Sequence, residues 1–231
     1  MPVHIANHPI VASKLTVLRD KNTKPVDFRR ILKELTFYLG YEASRHLQTI
    51  PVPVVTPMGE THDGVELAHT QCIIPILRAG IPMGDSMMEL LPDAAVYHIG
   101  MYRSKGSLLP IQYYNRLPRD AGEKCDTAFI TDPCIATSNT LQAAVSIIKR
   151  WGAKKIVIVS AIGAKAGVDK LLAAHPDIDI FIGQIDETLS ADGMITPGIG
   201  DAGDRLFGTP DDGAHESAES GKSPEKKQRK H

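Results

Sequence analysis

Three cysteines, no long apolar run and almost no net charge are the first shortages in this 231-residue chain. Cys72, Cys125 and Cys134 stand at no metal-finger or CxxC spacing, and an odd count of thiols points to a reducing compartment. No stretch approaches the roughly 18 apolar residues of a membrane span. The opening segment MPVHIANHPIV lacks the charged region and long apolar region of a signal peptide. A formal net charge of -1 removes any global case for nucleic acid or an anionic membrane. The nine histidines form no H-x-x-x-H or H-E-x-x-H pattern, so no metal site built by protein side chains is expected. What remains is a cytoplasmic protein whose 42% hydrophobic content supports one large α/β domain or two small ones.

Taken in order, residues 7–20 predict a short amphipathic helix after an Asn-His-Pro start. A stronger helix is expected from Pro25 to Leu47, because Phe28, Ile31, Leu32, Leu35, Tyr38 and Leu39 recur at three- and four-residue steps. Gly40 weakens its middle. Pro51–Pro57 and Val65–Thr70 read as an edge β-hairpin, an arm able to reach a partner subunit. From Cys72 to Leu77 the chain is a continuous apolar run, typical of a strand buried on both faces. A turn at Arg78-Ala79-Gly80, a helix over Met83–Leu91 and a strand over Ala94–Met101 complete a βαβ unit, which implies a parallel sheet. Residues 102–124 are polar and long for a connector, as lids often are. A strand over 126–132, a helix to Trp151 capped by Gly152, a strand over Lys155–Ala161, a helix over Lys165–His175 and a strand over Ile178–Ile185 follow. Residues 186–209 are glycine-rich with paired acids. Residues 210–231 read as a disordered tail, basic at Lys226-Lys227-Gln228-Arg229-Lys230, where a solvated end and a nuclear-type address are both open.

Phe129 to Thr140 is the stretch that suggests chemistry. An apolar run ends in Asp132, small and hydroxyl residues follow, and a helical pattern starts at Leu141. Strand, loop and helix N-terminus together turn free N–H groups and the positive end of a helix dipole towards one point, which suits a phosphate. Arg78, Arg103, the 132–140 loop and the 193–205 segment all follow strand ends of one parallel sheet, the edge where ligands of such sheets bind. Two arginines and a phosphate loop suit a substrate with anions at both ends.

Four motifs carry a resemblance: Pro75-Ile76-Leu77-Arg78-Ala79-Gly80, Gly100-Met101-Tyr102-Arg103, Asp132-Pro133 with Ala136-Thr137, and the ending PGIGDAGDRLFGT from Pro197 to Thr209. In this order they resemble uracil phosphoribosyltransferases, from His8-Pro9 to Thr209. The resemblance implies a type I phosphoribosyltransferase fold over residues 1–209: a parallel sheet flanked by helices, a hairpin arm and a C-terminal base-binding hood. It implies the reaction uracil plus phosphoribosyl diphosphate to UMP plus diphosphate, with Mg²⁺ held through substrate and waters, and a homodimer or higher homo-oligomer. Carried over residue by residue, Arg78 and Arg103 hold the diphosphate and Asp132 faces the ribose hydroxyls. Pro133, Cys134, Ile135, Ala136, Thr137, Ser138, Asn139 and Thr140 cradle the 5′-phosphate. Ile195, Gly200 and Ala202 recognise uracil through backbone groups, and Asp201 contacts the ribosyl substrate through magnesium and waters. Asp201 and Arg103 are the residues it sets nearest the chemistry.

The chain departs from the family at Ser138-Asn139, where Gly-Gly is usual and glycine permits positive φ close to a phosphate. That departure leaves an alternative to the enzyme: a catalytically weak relative that binds phosphoribosyl diphosphate or UMP as a sensor or partner subunit. Cys134 also reads as a small apolar filler, Tyr102 equally as core or ligand, Asp204-Arg205 as an internal ion pair, and Asp186-Glu187 as a solvated loop start.

Overall fold

The computed structural model describes residues 2–103, 110–119 and 125–209. The expected tail over 210–231 and much of the 102–124 connector lie outside the described residues.

Strand β1 (Val3–Ile5) is followed by α1 (Pro9–Arg19) and α2 (Pro25–Ser44). His8 caps α1, its Nδ1 accepting from the Ile10 N–H at 3.1 Å, and proline, which has no N–H to leave unpaired in a first turn, opens both helices. Next come β2 (Thr49–Val55), β3 (Thr61–Leu67), β4 (Gln71–Leu77), α3 (Ile81–Leu90), β5 (Ala95–Val96), β6 (Ile99–Arg103) and β7 (Pro110–Asn115). Beyond them lie β8 (Thr127–Thr131), β9 (Cys134–Ile135), α4 (Asn139–Trp151), β10 (Lys155–Ala164), α5 (Lys165–Ala174) and β11 (Asp179–Asp186). The described chain ends in β12 (Thr188–Leu189), β13 (Ile195–Thr196) and α6 (Ala202–Phe207).

The main sheet runs β1-β11-β10-β8-β4-β6-β7, with β5 beside β4 and β9 beside β10. Every pairing in it is parallel except β6 with β7. Alternate residues of the central strands feed two cores. Ile73, Phe129, Val157 and Val159 meet α1, α2 and α3 on one face. Ile74, Ile130, Ile156 and Ile158 meet α4 and α5 on the other. Strands covered on both sides are apolar throughout, which is why their runs were continuous in the sequence. Gly40 has a packing role: a β-carbon there would come within 2.4 Å of Met87 Sδ and 2.9 Å of Leu90 Cδ1, so its absence lets α2 and α3 close together. No helix among the described residues is long and apolar enough to cross a membrane.

Several expectations are corrected. The predicted strand over Ala94–Met101 is two strands, since β5 pairs with Cys72–Ile73 and β6 with Ile76–Leu77. Neither β1 nor β7 was expected: β1 is only three residues long, and β7 is exposed along nearly all its length and has no apolar alternation to read. Cys72 and Cys125 are joined in a disulfide, so the chain does not hold three thiols. The hairpin stands as expected, with β2 and β3 paired antiparallel from Thr49↔Leu67 to Val55↔Thr61. It forms a sheet of its own, with Val55, Met58 and Val65 largely exposed.

Candidate active site

A cleft of about 750 Å³ opens at the carboxyl ends of β4, β6 and β8. Four chain segments make its walls: the turn after β4, the β6–β7 ribbon, the loop between β8 and α4, and the segment from Met194 to Gly203.

The turn after β4 is set by close backbone packing. A β-carbon on Gly80 would fall 2.3 Å from the Thr131 carbonyl oxygen and 2.8 Å from that of Ile76, so only glycine fits. Thr131, fully buried, donates its hydroxyl to the Gly80 carbonyl at 3.1 Å and ties this turn to the end of β8. Arg78 therefore leaves the sheet edge beside Asp132, half exposed. The Leu77–Arg78 peptide is cis.

The loop after β8 is anchored from behind. The buried Ser160 donates its hydroxyl to the Asp132 carbonyl at 2.7 Å, and the Ala161 and Ile162 N–H groups donate to the Pro133 carbonyl at 3.1 and 3.0 Å. Helix α5 presses Gly167 onto the loop so closely that a β-carbon there would stand 1.8 Å from the Ala136 carbonyl oxygen. Helix α4 begins at Asn139, with Ser138 as its N-cap in the left-handed region, φ 63° and ψ -3°. Ser138 is the one non-glycine residue with positive φ among those described. The strain that the Gly-Gly departure suggested thus falls on Ser138, while Asn139 is helical.

Three arginines hold the terminal segment: Arg29, which donates to the Leu206 carbonyl at 2.5 Å, Arg19 and Arg205. Asp186, almost fully buried, receives the Arg19 guanidinium as a fork at 2.6 and 2.8 Å and also accepts the Gly198 N–H at 3.0 Å. Burial alone pushes the Asp186 carboxyl up, but the Arg19 hydrogen bonds, the Gly198 N–H and the Arg19 charge outweigh it and hold it below its ordinary value. Arg205 donates to the carbonyls of Ile199 at 2.8 Å, Asp20 at 2.6 Å and Leu18, with its guanidinium 4.3 Å from the Phe28 ring centre. Both findings correct the sequence reading. Asp186 is a buried clamp and not a solvated loop start. Asp204 faces Arg78 at 3.6 Å and Thr209, and Arg205 serves backbone carbonyls, so the two neighbours are not an ion pair with each other. Gly198 sits at φ 62° with the Ile195 carbonyl 2.0 Å from where a β-carbon would go. Asp201 caps α6, its Oδ1 accepting the Asp204 N–H at 3.0 Å.

Of the residues singled out in the sequence, Arg78, Asp132, Pro133, Cys134, Ala136, Ser138, Thr140, Ile195, Gly200, Asp201 and Ala202 line the cleft together. Ile135, Thr137 and Asn139 do not. Ile135 is buried in the α4–α5 core, the Thr137 methyl lies under Gly193, and Asn139 accepts a hydrogen bond from Lys170 at 2.7 Å. Arg103 ends β6, and its side chain lies outside the described residues. Cys134 both packs partly against the core and borders the cleft. Tyr102, half exposed, borders the cleft and is not core, and Tyr113 faces the same cleft from β7. Tyr113 and Met194 were missed. Tyr113 could have been found only by pairing β7 with β6, which sets Tyr114 opposite Gly100, the residue before the Met101-Tyr102-Arg103 motif.

Comparison with known proteins agrees with this geometry. A family described as uracil phosphoribosyltransferase matches residues 5–209. Among curated relatives, a Dictyoglomus thermophilum protein named uracil phosphoribosyltransferase is 46% identical over 207 residues, covering 90% of this chain and 99% of its own. A Clostridium tetani protein of the same name is 43% identical over 202 residues, covering 87% and 96%. Among solved structures, an Aquifex aeolicus protein superposes with a TM-score of 0.83 at 33% identity, covering 89% of this chain and 97% of its own. An adenine phosphoribosyltransferase of Trypanosoma brucei shares the fold, with a TM-score of 0.52 at 14% identity over 84% of this chain and 88% of its own.

Proposed function

The chain belongs to the uracil phosphoribosyltransferase family, and from that membership we propose that it transfers the phosphoribosyl group of phosphoribosyl diphosphate to uracil, giving UMP and diphosphate. The single observation that carries this is the cleft, which brings Arg78, Asp132, Ser138 and Thr140 at the start of α4, and the Gly200–Ala202 segment around one space.

Each wall then has a task. Arg78 and Arg103 take up charge on the departing diphosphate, where a planar fork matches phosphate oxygens. The N–H groups and hydroxyls that face the cleft between Cys134 and Thr140, among them those of Ser138 and Thr140, hold the 5′-phosphate at the start of α4. Asp132 faces the ribose hydroxyls. Uracil lies against Ile195, Gly200 and Ala202, whose backbone N–H and C=O groups match its alternating acceptors and donor. Cytosine sets a donor against a donor there, leaving buried polar groups unpaired at about 1–3 kcal/mol each. Holding base and sugar in line supplies orientation, and the arginines stabilise the charge that develops as the bond to diphosphate breaks.

Mg²⁺ fits this residue set. Asp132 and Asp201 both border the cleft, carboxylates within reach of a bound substrate's phosphates and waters. Such a site suits an ion that keeps its waters and binds through substrate phosphates. When bound, it neutralises diphosphate charge. The hairpin β2–β3, a two-stranded sheet on its own with exposed Val55, Met58 and Val65, supports a homodimer in which the arm packs on a second copy. We place the enzyme in the cytoplasm, a reading supported by its bacterial relatives of the same family. The nuclear reading of the basic tail gains no support and is dropped.

Turnover of labelled uracil to UMP with phosphoribosyl diphosphate and Mg²⁺, beside cytosine and orotate, tests the proposal. Uracil-only turnover is expected. Folded protein that binds phosphoribosyl diphosphate without turning over uracil refutes it in favour of the sensor reading.

A further inference from the structure

Ser138 borders the cleft and is only 4% exposed. Its hydroxyl oxygen accepts a hydrogen bond from the Gln142 side-chain amide at 2.7 Å, and its carbonyl accepts the Gln142 backbone N–H at 2.9 Å. Residue 138 is thus tied twice to the first turn of α4. A hydroxyl has one proton to give. With Gln142 donating to the oxygen, that proton is not needed by any described protein group and is left for a ligand. Unlike glycine, a serine in the left-handed region carries strain, and the Gln142 bond helps fix it there.

We propose that Gln142 is a positioning residue for phosphate binding: by donating to the Ser138 oxygen it directs the Ser138 hydroxyl proton to the phosphate monoester of the substrate. This rests on the transferase reading of the cleft. Gln142 itself does not border the cleft, so its effect passes through Ser138.

The test reverses the direction of the hydrogen bond. In Gln142→Glu the carboxylate is acceptor-only, so it draws the Ser138 proton away from the cleft. In Gln142→Leu the hydroxyl is left to rotate. Ribose 5-phosphate is the probe, titrated calorimetrically into wild type, both variants, Ser138→Ala, and Ser138→Ala/Gln142→Glu, each first checked for native circular dichroism. The dissociation constant is expected to rise about tenfold or more in Gln142→Glu, the loss of a hydrogen bond to a charged group, and only a few-fold in Gln142→Leu. In the Ser138→Ala background the effect of Gln142→Glu should shrink to within about twofold. In turnover, the KM for phosphoribosyl diphosphate should rise with the KM for uracil unmoved. An equal effect of Gln142→Glu with and without the hydroxyl means simple charge repulsion and overturns the proposal, as does tight binding by both single variants. Wild type that binds ribose 5-phosphate and shows this coupling but does not turn over uracil sustains the inference while the transferase reading fails. Wild type that does not bind ribose 5-phosphate overturns the inference.

Discussion

Gly167→Ala sets two magnitudes against each other. Alanine is the better helix former, so the change favours α5 by up to about 1 kcal/mol. The structure opposes it: the new β-carbon would lie 1.8 Å from the Ala136 carbonyl oxygen, 2.9 Å from its carbon and 3.2 Å from the Ile135 oxygen. All three are backbone atoms, and none can swing aside as a side-chain tip could. Relief requires α5 to lift from the sheet or the loop to move into the cleft. Lifting α5 disturbs Val168 and Leu171, both in the core. Overpacking of this kind costs about 1–3 kcal/mol, occasionally more, and this contact belongs at the upper end. A net loss of about 2 kcal/mol lowers the melting temperature by about 4–8 °C in a chain of this size. Since Ala136 stands in the proposed phosphate loop, the KM for phosphoribosyl diphosphate should rise severalfold while the KM for uracil moves less. Thermal unfolding and steady-state kinetics read both. A variant as stable as wild type, or more so, with unchanged kinetics refutes the claim that this helix sets the loop.

Three further outcomes are expected. The Asp186 carboxyl is held below its ordinary 3.8, so its contribution to stability is complete above the unfolded value and is lost as pH falls through the folded one; Asp186→Asn should flatten the acid limb of a urea-stability profile below about pH 4, and an unchanged slope there counts against the clamp. Arg205→Lys cannot reach three carbonyls with one fork; the loss should be about 2 kcal/mol or more, seen in thermal unfolding, and a change under about 0.5 kcal/mol refutes the anchoring role. Cys72 and Cys125 are 53 residues apart and close a loop carrying Arg78 and Tyr102; thiol titration of the denatured, unreduced protein should count one thiol, Cys134, and reduction should cost up to about 4 kcal/mol by the chain-entropy account, whereas three thiols before reduction would remove the bond.

The parts of the fold legible in the sequence are those set by local pattern. Residues 72–77 and 126–132 are apolar because both faces of those strands are covered, so they read as strands without knowledge of their partners. Gly152 was legible as a C-cap because the left-handed end of α4, φ 107°, is a demand on one residue. Distant partners were not legible. Asp186 looked like a loop acid because Arg19, which buries it, is 167 positions away. Arg205 looked like a partner for Asp204 because neighbours in sequence are easy to pair, while its true acceptors are carbonyls at Leu18, Asp20 and Ile199. At 138–139 the sequence marked a strained loop; assigning the positive φ to Ser138 required the first turn of α4 to be placed, since a helix beginning at Asn139 puts its cap one residue earlier. The hairpin of β12 and β13 has two residues per strand, too few for a period to show.

What holds the cleft open is a set of ties to backbone carbonyls, made mostly by residues outside the cleft. Thr131 fixes Gly80, Ser160 fixes Asp132, and Arg205 fixes Ile199. Because these anchors lie behind the surface, the groups facing the cleft keep their freedom to meet a charged ligand. Arg78 shows the consequence. It pairs with Asp204 at 3.6 Å and lies 5.5 Å from the Phe207 ring centre, linking the turn after β4 to helix α6, the proposed diphosphate and uracil sides of the cleft. Arg78 is half exposed and the separation is long, so the pair is worth no more than about 1 kcal/mol. A diphosphate carries more charge than one carboxylate and offers paired oxygens to the guanidinium. If diphosphate binds Arg78 as proposed, exchanging it for Asp204 costs little and gains a stronger contact, and Asp204 is left without a counter-charge at the start of α6. There the positive end of the α6 dipole, which also faces the Asp201 cap, favours negative charge and offsets part of that loss.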